Sequence, residues 1–216
     1  EPSWREYRSA RDYVELLRAE GFEVEAGSGD MPTAFVARWG TGKPVLAGFS
    51  EYDAVPGNSQ QVVPYRAPRE GLHPYAAGHT DPHSVLGTAS LAAMLGARAA
   101  MQKHSIAGTL KLFGEPAEKV CGSKPIHAAK GYYDDLDAAV VWHPWGSNTV
   151  TGETHFGAYW SAVITFEAQS PETWIDPSLM PIEGAHAAAR CPGAVDALCL
   201  MYTTTKYTKE AMFPHA

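Results

Sequence analysis

The chain has 216 residues, 45% of them apolar, enough for one large domain or one domain plus part of a second. Its formal net charge of −7 comes from scattered acids with no basic stripe against them, which argues against nucleic acid as a partner. No apolar run nears the ~20 residues of a bilayer span, and no basic-then-apolar opening marks a secretory signal. Three cysteines (Cys121, Cys191, Cys199) at irregular spacing do not make a disulfide scaffold. The expectation is a cytoplasmic protein with no membrane partner.

Ser3-Trp-Arg-Glu6 reads as a capping box, followed by Tyr7, Ala10, Val14 and Leu17 at helical spacing and Gly21 as the stop. Strands are expected over 22–25, 33–39 and 44–48, with Gly40-Thr-Gly42 as a hairpin turn joining the last two. Residues 57–77 are rich in Pro, Gly and Gln without periodicity, and loops that long inside a compact domain are usually functional. An Ala-, Leu- and Met-rich helix over 84–103, a strand over 109–113, a helix over 119–131 and a buried strand over 138–142 follow. This alternation predicts an α/β fold, a mostly parallel sheet with helices on both faces. The pattern changes near residue 150: residues 156–166 alternate as a strand, 169–183 are irregular, and Cys191-Pro-Gly193 opens a helix to about 209. A second, smaller domain starts there.

Four polar clusters sit at or just after the apolar runs. Glu51 and Asp53 follow the strand at 44–48, at the carboxyl edge where α/β sheets place ligands, although an acidic loop end is often only a turn. His79, Asp81 and His83 bring two imidazoles and a carboxylate within five residues, a set suited to zinc, manganese or cobalt. The same residues could instead form a helix N-cap, with Thr80 or Asp81 capping and Pro82 in the first turn. Glu115 and Glu118 follow the strand at 109–113, where a carboxylate near a metal can serve as general base. His143 follows the strand at 138–142, as a ligand or as a packing residue. No nucleophile elbow, phosphate loop or dinucleotide fingerprint is present.

Together these residues resemble the M20 metallopeptidase and amidohydrolase family, most of all its aminoacylase and aminobenzoyl-glutamate hydrolase branch. Glu51-Tyr-Asp-Ala-Val-Pro56 is similar to the family's Glu/Asp-x-Asp-Ala-Leu-Pro segment, and Gly78-His79 to the second half of its Cys-Gly-His-Asp motif. Glu115-Pro-Ala-Glu118 is similar to Gln-Pro-Ala-Glu-Glu, whose first paired glutamate is the base. Trp142-His143 resembles the next metal ligand, and Gly184-Ala-His186 the lid histidine that stabilises the oxyanion across a dimer. The resemblance implies a catalytic domain over 1–152, the start of an α+β lid or dimerisation domain over 153–216, and a homodimer or higher oligomer formed through that lid. It implies Glu118, Asp53 and His186 as catalytic residues and His79 and His143 as the main metal ligands, with Asp81 or His83 as a replacement ligand. Family members run to roughly twice this length.

Three departures shape the expected reaction. Ala77 stands where the family's ligating cysteine falls, Lys119 stands for the second glutamate, and Thr-Asp-Pro-His83 after His79 carries an apparent one-residue insertion. A lysine ammonium ~4 Å from a cation costs roughly 4 kcal/mol per unit charge at an effective dielectric near 20. The expectation is therefore one divalent transition metal (manganese, zinc or cobalt). The expected substrate is a small aromatic carboxylate whose amine is activated by its own substituents, 5-nitroanthranilate being the type. Water attacks the ring carbon and ammonia leaves. The alternatives are amide hydrolysis of an aminobenzoyl- or N-acyl-amino acid, and a catalytically dead binding protein on the same fold.

Overall fold

The computed structural model describes residues 1–144, 146–150, 152, 162–167 and 193–212. The chain divides into two compact units, residues 1–155 and 156–216.

In the first unit, α1 (Tyr7–Ala19) leads to β1 (Glu23–Ala26), β2 (Phe35–Thr41) and β3 (Val45–Glu51). Then come α2 (His83–His104), β4 (Gly108–Glu115), α3 (Ser123–Ala129) and β5 (Ala138–Val140). The five strands form one sheet in the order β1-β2-β4-β3-β5. Its pairing is mixed: β1–β2 and β2–β4 are antiparallel, while β3–β4 and β3–β5 are parallel. This corrects the mostly parallel sheet expected above. It also corrects the hairpin, because β2 and β3 do not pair. Gly40 and Gly42 carry positive φ, and the turn steps across the start of β4, which enters between the two strands. Thr109 holds the turn, its Oγ1 donating to Gly42 O at 2.8 Å and its N–H to Pro44 O at 2.9 Å. Gly40 is required there: a Cβ would meet Gly108 O at 2.4 Å.

Side chains alternate across the sheet with period two. Phe35, Ala37, Leu110 and Leu112 face a core built with Ala10, Val14 and Leu17 of α1 and Met94 of α2. Val36, Ala47 and Phe113 face the other way, against Tyr132, Tyr133 and Leu136 beyond α3. Complete burial of Leu17, Phe35, Leu112 and Phe113 contributes roughly 1.5–3 kcal/mol each. Strand β5 ends at Val140 and is exposed throughout, unlike the longer buried strand expected, because it is the sheet's edge. By length and composition α2 could cross a membrane, although the sequence shows no obvious spanning run. Core helices pass that same test, and α2 packs on β3 and β4.

The capping box does not form. Neither Ser3 nor Glu6 caps α1, whose first-turn N–H groups of Arg8 and Ser9 donate to Glu1 Oε2 at 2.6 and 3.3 Å; Ser3 Oγ donates to Asp53 Oδ2 at 2.7 Å, and the Glu6 carboxylate turns inward. In place of one helix over 119–131 there is a 3-10 turn, Glu118–Val120, and the short α3, separated by Cys121 at φ 52° and Gly122.

In the second unit, residues 162–167 form neither helix nor strand, and α4 (Ala194–Met212) matches the expected helix. The rest of the expected strand at 156–166, the irregular stretch at 169–183, and His186 lie outside the described residues.

Candidate metal centre

Parallel pairing sets Glu51 beside Glu115 at the carboxyl ends of β3 and β4. Tyr52 anchors the chain beyond β3, its hydroxyl donating to Thr33 O at 2.6 Å. The first turns of α2 lie directly over the end of β3. Contact is so close that a Cβ on Gly87 would stand 2.3 Å from Glu51 O, and Ser50 Oγ donates to Gly87 O at 3.1 Å. One turn before Gly87, at the start of α2, is His83.

His83 is the hub. Its Nδ1 lies 2.6 Å from Asp53 Oδ1, and its Nε2 lies 3.3 Å from Glu51 Oε2 and 3.0 Å from Glu118 Oε2. Ligand atoms of Glu51, His83 and Glu118 all fall within 4.8 Å of one another. The His83 and Glu51 side chains are 3% and 6% exposed and that of Glu118 36%, so Glu118 is the member open to solvent. Asp53 is fixed from the other side, Oδ2 accepting from Ser3 Oγ and from the Lys119 N–H at 3.0 Å.

Burial works against a charged His83 ring, but hydrogen bonds to Asp53 and Glu118, with the field of Asp53 and Glu51, raise its pKa to about 9. Burial likewise works to raise Asp53, and is outweighed by hydrogen bonds from His83, Ser3 and the Lys119 amide, so its pKa is lowered. The hydrogen bond to His83 lowers that of Glu118. When protonated, the ring bridges three carboxylates, Asp53 through Nδ1 and Glu51 and Glu118 through Nε2. The donor set also fits a divalent ion: with Nδ1–H given to Asp53, the Nε2 lone pair faces two carboxylates, a mixed N/O set suited to zinc or manganese.

The sequence-expected residues distribute unevenly. Asp53, His83 and Glu118 come together. His79 stays at the solvent-facing edge, with no hydrogen bond or ion pair to them; partial desolvation, then the nearby N-terminal ammonium, lowers its pKa against the opposing fields of Asp81 and Asp53. Asp81 stands beside the cluster, Oδ1 accepting from the His83 N–H at 3.3 Å and Oδ2 paired with the Lys119 ammonium. His143 would face Glu51 if the β3–β5 ladder continued. The ladder stops at Val140, and among the described residues the exposed His143 hydrogen-bonds only to Pro144 O, through Nδ1 at 2.9 Å. Glu115 belongs to β4 and turns away, accepting from His127 Nδ1 at 2.9 Å and Tyr133 OH at 2.6 Å. Sequence reasoning missed Glu6, which looked like a capping residue, and Lys124, whose ammonium pairs with Glu51.

The family model for peptidase family M20/M25/M40 matches residues 49–212. The chain belongs to this family. It is 32% identical over 220 aligned positions to a p-aminobenzoyl-glutamate hydrolase polypeptide of Escherichia coli, one of that enzyme's subunits, covering 100% of this chain and 42% of that protein. Thermostable carboxypeptidase 2 of Saccharolobus solfataricus is 32% identical over 133 positions, covering 58% of this chain and 31% of its own. Among solved structures, a dinuclear metal-binding M20 peptidase from Bacillus subtilis matches with a TM-score of 0.50 at 20% identity, over 64% of this chain and 37% of that one, which bears on fold alone. A putative aminohydrolase from methicillin-resistant Staphylococcus aureus matches at 0.51 and 25%, over 64% and 36%. The chain thus spans less than half the length of the curated relatives it matches.

The histidine beside Asp53 is thus His83, four residues beyond His79 of the Gly78-His79 pair, and Asp81, two residues before it, pairs with Lys119.

Proposed function

We propose that this chain carries the metal-holding and proton-transfer residues of a hydrolase for the C–N amide bond of an aminobenzoyl- or N-acyl-amino acid. The observation that carries this reading is the Asp53–His83 pair, which aims Nε2 at Glu51 and Glu118. Similarity along the whole chain to a polypeptide of an aminobenzoyl-glutamate hydrolase supports the substrate class. Glu51 and His83 would hold the ion, with Asp53 orienting the ring. When bound, such an ion lowers the pKa of water and polarises a carbonyl. Glu118, the member of the group open to solvent, accepts the proton of the attacking water and passes it to the departing amine. Water adds to the amide carbon, the C–N bond breaks, and a carboxylate and an amine result. Glutamate release from p-aminobenzoyl-glutamate by the manganese-loaded protein tests it. Glu118→Gln should lower kcat by about 10²-fold or more. No metal-dependent release, or full activity in that variant, overturns the reading.

A second reading rests on the Asp81–Lys119 ion pair. An ammonium at that place opposes a second cation, leaving one ion (manganese, zinc or cobalt) and favouring a substrate that needs only one. A nitro-activated aminobenzoate such as 5-nitroanthranilate meets that condition. Water adds to the ring carbon bearing the amine, the C–N bond breaks, and ammonia leaves. Ammonia release from 5-nitroanthranilate, against glutamate release from p-aminobenzoyl-glutamate, separates the two readings. Calorimetry giving two tight metal equivalents would remove the second. Association through residues 153–216, with His186 serving a partner's site, belongs to the same proposal; a monomer by sedimentation velocity would refute it.

A further inference from the structure

Residues 1–6 lie across the loops that form the centre. Pro2 bridges Ala54, and Ser3 bonds Asp53. The Trp4 ring is packed so closely that a Cβ on Gly122 would come within 2.4 Å of it. Glu6 is the most buried charged residue of this strap, at 0% exposure, and takes no part in the proposed chemistry. Its Oε1 accepts from the Ala117 N–H at 2.8 Å and its Oε2 from Thr33 Oγ1 at 3.1 Å. Ala117 is itself fully buried and sits at φ 57°, left-handed for a residue with a Cβ. Such a conformation costs roughly 1–2 kcal/mol and persists only where neighbours impose it. Its carbonyl accepts from Val120 N and Gly122 N at 3.2 and 2.9 Å, which closes the turn bearing Glu118 and Lys119.

We propose that Glu6 is a positioning residue for Glu118: its carboxylate imposes the left-handed turn at Ala117, and that turn sets Glu118 against His83. The chain of contacts runs from α1, through one backbone N–H, to the solvent-open member of the centre. This rests on the reading that Glu118 serves the metal centre. Without the acceptor, Ala117 relaxes to a right-handed or extended backbone, and Glu118 leaves the 3.0 Å approach to His83 Nε2.

The test uses the full chain with Glu6→Gln, Glu6→Ala and Glu6→Asp, read by Mn(II) calorimetry and by kcat and KM for p-aminobenzoyl-glutamate. Glutamine keeps an oxygen for Ala117 N–H and offers an amide to Thr33 Oγ1, so its values should stay within about threefold of the parent. Alanine should lower kcat at least tenfold, with KM changed less than threefold, and weaken Mn(II) binding about tenfold as the Glu118 carboxylate turns away from the donor group of Glu51 and His83. Aspartate, one methylene short, should show the same pattern more mildly and covers the case in which the alanine variant fails to fold. A folded alanine or aspartate variant with Mn(II) affinity and kcat within twofold of the parent overturns the proposal. So does a glutamine variant as impaired as the alanine one, which would assign the effect to charge. If Glu118→Gln keeps full turnover while Glu6→Ala still loses Mn(II) affinity, Glu118 fails as base and the positioning role of Glu6 stands. Where no turnover is found, the Mn(II) arm decides alone.

Discussion

Replacing Gly87 by alanine tests the contact that sets His83 over the sheet. Gly87 has ordinary helical backbone, so propensity alone favours alanine by about 1 kcal/mol. The space does not: the new Cβ would lie 2.3 Å from Glu51 O, more than 1 Å inside ordinary van der Waals separation, and 2.6 Å from Tyr13 OH. Either α2 lifts from β3 or β3 bends, and the Ser50–Gly87 hydrogen bond is lost. Overpacking costs about 1–3 kcal/mol and the bond about 1 kcal/mol, which leaves a net loss of roughly 1–3 kcal/mol. At 2–4 °C per kcal/mol for a chain of this size, Tm should fall by about 2–12 °C. Mn(II) affinity should fall as well, because His83 is one turn away on the same helix. Gly96→Ala, with nothing within 4 Å of its Cβ, is the control and should raise Tm by a few degrees. Thermal melts of the metal-free variants, followed by Mn(II) titration, provide the readout. A Gly87→Ala protein that melts as high as Gly96→Ala, with unchanged Mn(II) affinity, refutes the reasoning.

The pH dependence of the metal-free protein follows from His83. Its pKa is raised from 6.5 to about 9, so its contribution, roughly 3 kcal/mol, is fully present below pH 6.5 and lost as pH rises through about 9. Asp53 and Glu118 are shifted down, so theirs is lost as pH falls through the acid range; a metal-free stability maximum above pH 8, measured by urea unfolding, contradicts this. Tyr52→Phe leaves Thr33 O buried without its 2.6 Å donor and should cost about 1–3 kcal/mol, read as a lower urea midpoint at constant m-value. Lys119→Glu should raise Mn(II) stoichiometry from one to two equivalents, as the carboxylate joins Asp81 in place of the ion pair; an unchanged stoichiometry contradicts the single-cation reading.

Much of the centre is legible in the sequence because its chemistry is local. Asp53 and Glu118 stand in short motifs at the ends of apolar strands, and period and composition place those strands directly. His83 is legible only as one of several candidates. The Gly78-His79 pair matches a motif by adjacency, but the long segment before α2 hides how many residues lead up to the strand end. Asp53 selects His83 because that residue begins α2, and α2 closes onto β3 through Gly87 and Ser50. Glu6 misleads for a related reason. Ser3-Trp-Arg-Glu6 satisfies a local capping pattern, yet both side chains form stronger contacts with residues far along the chain, Asp53 and Ala117.

The mixed sheet shows the same division. Residues 35–41 and 45–51 are strands joined by a glycine-rich turn whichever way they pair, and the amino-acid order is enough for that. Their separation by β4 depends on a segment about 60 residues later, which no local pattern encodes. Residue order alone settles the family, the element types and the residue kinds that gather at the strand ends. Packing settles which histidine meets Asp53 and that Lys119 pairs with Asp81. It also brings a carboxylate from the start of the opening helix to the turn of Glu118. Periodicity and propensity act over a few residues, whereas packing and charge pairing act between whichever residues the fold brings within a few ångströms.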